Sequence, residues 1–246
     1  PDGSVNELKM ISYTSAIPGS AGAIVPSSGT PAAPTVGKSS LSVSDISNDF
    51  VIGTKNPGIT PIMQYYYSRK TGDWNDNDPA NGTWSLTAGG GPACGCIPGA
   101  NSYAVISETN TVTVNVPASI GYINIENNAI LNGTANFTIT KDITTNGTGV
   151  FSPSSGTWSV ARNVTLTGTG ASSFATSTSI GGNLSVGSGT TLTMPLASDL
   201  TVTGNLNVDG TLALSTSNLL LNGLNTIISG SAGAALITGT GSVNLT

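Results

Sequence analysis

One periodicity constrains this chain more than any other feature. In DLTVTGNLNVDGTLALS, residues 199–215, every even position from Leu200 to Leu214 is apolar or glycine. The odd positions from Thr201 to Ala213 are Thr, Asn, Asp or Ala. Alternation of period two marks a strand with one buried face. A single strand of this length is unusual in a globular sheet, where about 5–6 residues is typical. Gly204 and Gly210 divide the stretch and are read as corners. The same pattern then returns at a step of twenty. Val160, Ile180, Leu200 and Leu220 form one set, Leu166, Val186 and Leu206 a second, and Phe174, Met194 and Leu214 a third. A fixed step of this size implies one supersecondary unit per repeat, stacked on the previous one. The expected fold is an all-β parallel β-solenoid of about 20 residues per turn, with like side chains in ladders inside and Thr-rich positions facing solvent. An antiparallel sandwich also accommodates short strands at close spacing, but it has no reason to keep twenty-residue columns.

Outside 160–220 the phase loosens. TVTVNV (111–116), SIGYINIE (119–126) and ANFTIT (135–140) are good strands. Residues 111–246 leave room for about seven turns, on the order of 30 Å of stack at ~4.8 Å per turn. Residues 1–58 carry no such columns. LKMISYT (8–14) and SLSVSDISNDFVIG (40–53) are strand-like and flank PGSAGAIVPSSGTPAAPTVG (18–37), which reads as an extended linker. The expected organisation is therefore an N-terminal β arm over 1–58, an aromatic- and Gly-rich cap over 59–110, and the solenoid over 111–246.

Charge is sparse. Asp, Glu, Lys and Arg make up 8% of the 246 residues, the net charge is −5, and histidine is absent. Seven Lys and Arg residues cannot neutralise a phosphate backbone, so nucleic acid is not an expected partner. No apolar run reaches the roughly 18 residues of a membrane span. From 143 to 246 the only charged side chains are Arg162, Asp199 and Asp209. No nucleophile and base can be paired there, so no catalytic residue is expected and the chain does not read as an enzyme. Aliphatic alternation excludes a disordered tail. The Thr, Ser, Asn and Gly richness fits a secreted protein at the cell surface, and Pro1 in place of an initiator Met reads as a processed or trimmed chain.

Residues 59–100 hold the candidates for recognition. Tyr65, Tyr66, Tyr67, Trp74 and Trp84 either offer a carbohydrate platform or cap the coil. GDWNDNDP (72–79) gathers Asp73, Asp76 and Asp78, the one set suited to Ca²⁺. An EF-hand is excluded, because Asp78 stands at the glycine position and Trp84 at the final Glu position. An irregular calcium site and a solvated Asn/Asp turn remain the two readings; no other cofactor is implied. Cys94 and Cys96 lack further ligands for a metal. They read either as loop residues or as a disulfide, at a spacing that makes the bridge geometry demanding. Seven N-x-[ST] sequons occur, Asn163 and Asn183 among them.

The segment from Tyr65 to Ile125 resembles the lead-in of large secreted surface and adhesin-like proteins of Bacteroidota. The likeness is carried by Ser68, Arg69, Gly72, Trp74, Asp76, Thr83, Trp84 and Ser85, then by Ala104–Ile106 and Thr111–Val114. In those proteins this element and a Gly/Pro loop open a parallel β-helix, and the resemblance implies an extracellular, surface location rather than a reaction. The expected function is a structural subunit of an extracellular filament. Other copies of the chain are its partners, joined head-to-tail through raw solenoid ends or through strand donation by the N-terminal arm. The alternative is a monomeric adhesin or carbohydrate-binding stalk whose partners are surface glycans.

Overall fold

The computed structural model describes residues 8–13, 25–30, 33–36, 49–54, 63–88, 90–223, 228–229 and 236–245, which form strands and turns without a helix. Two compact units divide at Met63, a few residues beyond the expected boundary. In the first unit Leu8–Tyr13 pairs antiparallel with Asp49–Thr54 along its whole length. It also pairs with Val25–Thr30, which in turn pairs with Ala33–Val36. The segment expected to be an extended linker therefore contains two paired strands. Its Pro and Gly content, counted as composition, hid them: Pro34 sits in an edge strand, where no ladder hydrogen bond is required of it. Of the strand expected over 40–53, residues 40–48 lie outside the described residues.

The second unit is a parallel β-solenoid of about six turns. Each turn contributes three short strands, one to each of three faces. In the first full turn these are Tyr103–Ile106, Thr111–Val114 and Ala118–Ile120, and in the second Tyr122–Ile125, Ile130–Gly133 and Phe137–Ile139. Strands on a face pair in parallel with the turns before and after. Inward residues alternate with outward ones. Val112 and Val114 are fully buried, whereas Thr111 and Thr113 are half-buried. The opening stretch resolves as anticipated into Asp199–Val202, Leu206–Val208 and Thr211–Ser215, with bends at Gly204 and Gly210. A Cβ at either glycine would strike backbone of the preceding turn.

The repeat is not a strict twenty. On the first face the inward column runs Ala104, Ile123, Ile143, Val164, Leu184, Leu206, with steps of 19, 20, 21, 20 and 22 residues. Val160 pairs with Ile180 and Leu166 with Val186, as the columns require. Ile180, however, pairs with Val202, Val186 with Val208, and Leu206 with Leu184. The cause is a corner lengthened by two residues. Ser173 to Thr178 in one turn corresponds to Thr193 to Leu200 in the next, and Pro195 and Leu196 stand in the longer corner. A shift of two preserves the inside face, so Leu200 and Leu206 remain in the core. Leu200 next pairs with Leu219, a step of 19. Paired residues share a face, so a step of 19 puts the residue twenty positions on at the neighbouring, outward site. Leu219 and Leu221 are buried, and Leu220, expected in the core ladder, instead sits half-buried on the outer face as the partner of Thr201. Phe174, Met194 and Leu214 each follow the aligned strand residues Ser173, Thr193 and Ala213, and all three are buried.

Six aromatic rings run down part of the core. Trp84 meets Trp74, Trp74 meets Phe137, Phe137 meets Trp158, and Phe151 bridges Trp158 to Phe174, with centroid separations of 4.9, 4.8, 5.1, 6.3 and 4.9 Å. Such pairs add about 0.5–1.5 kcal/mol each beyond the area they bury. The second face is interrupted along this stretch. The buried Ser172 hydroxyl accepts the Phe151 N–H at 3.2 Å, and the face divides there into two four-stranded sheets.

Candidate functional site

The N-terminal end of the solenoid is built by the residues that carried the sequence resemblance. Tyr65–Ser68 extends the first face in parallel with Tyr103–Ile106, and Trp84–Ser85 closes that edge in the antiparallel sense. Ser68 is buried, and its hydroxyl accepts the Ser107 N–H at 2.8 Å and the Asn110 amide at 3.1 Å. The Arg69 guanidinium donates to the carbonyls of Gly91 and Gly82, tying the Gly-rich loop to the strand. Gly72 lies so close to the Thr83 hydroxyl that a Cβ has no room. Trp74 and Trp84 are both buried, and the Trp84 indole donates to the Trp74 carbonyl at 2.7 Å. The motif is a sealing device: its apolar members cover the first turn and its polar members satisfy the backbone around them.

The acidic residues Asp76 and Asp78 are engaged within this cap. Asp76 pairs with Lys70 at 3.3 Å and accepts from the Asp78 N–H and the Thr83 hydroxyl. Asp78 accepts from the N–H groups of Ala80 and Asn81, two bonds that hold its carboxyl below its ordinary pKa. Asp73 is exposed in a short strand opposite Thr113. No group of three acidic, His or Cys side chains suited to a metal occurs among the described residues. Cys94 and Cys96 form a disulfide, their Cα atoms 5.1 Å apart across a left-handed Gly95 at φ +63°. Glycine at the intervening position supplies the bend that so short a bridge requires.

The tyrosines separate into two roles. Tyr66 points inward and packs on the core. Tyr65, Tyr103 and Tyr122 occupy successive turns of one outer column, with ring centroids 4.8 and 5.7 Å apart and planes inclined by 24° and 15°. Stacked this way, the rings turn their faces towards one another. Burial, reinforced by Tyr65, Tyr67 and Asp142, raises the Tyr103 phenol above its ordinary pKa. The column continues as Asp142, Asn163, Asn183 and Asn205. The side-chain oxygens of Asp142, Asn163 and Asn183 each accept the backbone N–H of the residue one turn on, at 2.9, 2.9 and 2.7 Å. Sequence reasoning missed this ladder, although two of the sequons, Asn163 and Asn183, already stood twenty residues apart.

Beside the cap lies a cleft of about 550 Å³, lined by Tyr67, Arg69, Ser107, Glu108, Thr109 and Glu126 among others. Glu126 accepts the Glu108 N–H at 3.3 Å. The last described turn differs in kind. Ile237 pairs with Leu212 and Val243 with Leu219, both positions of the buried interior, yet Ile237 and Val243 are 37% and 48% exposed. Comparisons with family models, curated proteins and solved structures find no match for this chain.

Proposed function

We propose that the chain is a non-catalytic structural subunit of an extracellular filament or surface fibre, and that other copies of itself add at the apolar surface of its last described turn. The exposure of Ile237 and Val243, in columns buried one turn earlier, carries this reading. A parallel edge with apolar side chains and unpaired main-chain groups is a template for further β-structure. The opposite rim is covered by Trp74, Trp84 and the antiparallel Trp84–Ser85 strand, so simple stacking of end on end lacks a matching surface. The edge strands of the first unit, Ala33–Val36 and Asp49–Thr54, are the donors that remain. Low charge leaves little electrostatic repulsion between copies. The likeness of residues 65–125 to secreted adhesin-like proteins supports a place at the cell surface.

Sedimentation velocity tests the reading. The purified chain is expected to form oligomers that grow with concentration and appear as fibres by electron microscopy. I237K combined with V243K is expected to leave monomers. A parent chain that stays monomeric at ~100 µM overturns the proposal. Fibres that persist after removal of residues 1–58 overturn the part given to the arm.

A further inference from the structure

We propose that the cleft beside the cap binds a neutral, hydroxyl-rich sugar unit, independently of any assembly at the other end. Its lining is polar and mixed in sign. Arg69 brings one guanidinium, Glu108 and Glu126 two carboxylates, Ser107 and Thr109 hydroxyls, and Tyr67 the one aromatic ring. The Arg69 side chain is fixed by three acceptors, the carbonyls of Gly91 and Gly82 and the Asn81 amide oxygen, so the cleft wall is ordered before a ligand arrives. The Glu108 carboxylate makes no hydrogen bond or ion pair among the described residues, and one oxygen of Glu126 holds the Glu108 N–H in place.

This inventory selects among ligand classes. Two carboxylates repel phosphate and other anions. A divalent cation needs more oxygen ligands than the cleft gathers, and Arg69 opposes it. An apolar ligand would strand the charges. A sugar meets all the groups at once: vicinal hydroxyls donate to the carboxylates, ring and hydroxyl oxygens accept from Arg69, and the C–H face lies on Tyr67.

The backbone at the cleft supports the assignment. The corner between the first and second faces carries a left-handed residue in five successive turns: Thr109, Asn128, Gly147, Gly168 and Gly189, at φ +68°, +58°, +58°, +100° and +81°. Glycine and asparagine take this conformation readily, whereas a β-branched residue there is strained. The one threonine in the column is the one that lines the cleft, beside Glu108. Strain of this kind is retained where a side chain has a task.

Calorimetric titration of the full chain with neutral disaccharides of the gluco, galacto, manno and N-acetylhexosamine series is expected to give saturable binding for at least one. E108Q and E126Q are each expected to weaken it about tenfold, and A88W, which fills the cleft from an exposed loop, to abolish it with the near-ultraviolet dichroism unchanged. T109G is expected to raise Tm while weakening binding. The proposal is overturned if no member binds at ~10 mM, if binding survives A88W, or if Ca²⁺ or inorganic phosphate alone saturates the cleft.

Discussion

The first and the last described turns of the solenoid are made from the same kind of short parallel strand, yet the one is covered by aromatic side chains and the other carries exposed apolar ones. At the N-terminal end, aromatic side chains from the excursion between Ser68 and Tyr103 fold over the first turn, and Trp74 and Trp84 reach 1% exposure. At the C-terminal end Val243 occupies an equally interior column at 48%. Burial in a coil is therefore a property of neighbours above and below, and the sequence of one strand does not supply it. A turn becomes core only when another layer lies on it.

That contrast can be broken by substitution. W84A removes a buried ring together with its hydrogen bond to the Trp74 carbonyl, and is expected to lower stability by about 3–5 kcal/mol in denaturant titration. V243A, in the exposed last described turn, is expected to change stability by less than about 1 kcal/mol on the same axis, because little apolar area is withdrawn. Equal effects at the two sites would mean that the first and last described turns are buried alike. The parity of the last turns gives a sharper pair. L219A is expected to lose about 2–5 kcal/mol, and L220A, one residue on, within about 1 kcal/mol. Breaking the side-chain ladder with N183A leaves the Asn205 N–H without its acceptor, and should cost about 1–2 kcal/mol and speed amide exchange at Asn205.

W74F should be nearly neutral, because the Trp74 indole N–H is buried without a partner among the described residues and the substitution keeps an aromatic ring in contact with Phe137. The smallest effect concerns pH. The folded-state pKa of Asp78 is lowered by the N–H groups of Ala80 and Asn81, so its contribution to the turn is present above the unfolded-state value and fades as pH falls through the folded one. Amide exchange at Ala80 and Asn81 should therefore quicken in acid in the parent chain, and should be quick at neutral pH in D78A.

The solenoid was legible because its signal is redundant: Val160 and Ile180, or Leu166 and Val186, repeat the same alternation at the same step. The cap was legible as a concentration of aromatics, but the roles within it were not. Tyr66 and Tyr65 are adjacent in the chain and face opposite sides of a strand, one packing on the core and the other joining an outer stack. Asp76 and Asp78 form a ligand series on paper, and only the positions of Lys70, Thr83 and the Ala80 and Asn81 backbone show their partners within the chain. The cleft joins Arg69 to Glu108 and Glu126 across separations that no local motif spans.

What the amino-acid order determined by itself is the winding of the chain into a parallel coil and the side of each strand that turns inward over most of its length, since alternation and step are both local. Tertiary structure alone decided which turn rests on which residue of the next. A corner two residues longer keeps Leu200 inside, a step one residue short of twenty turns Leu220 out, and both are settled by backbone hydrogen bonds between turns, which a list of residues does not contain.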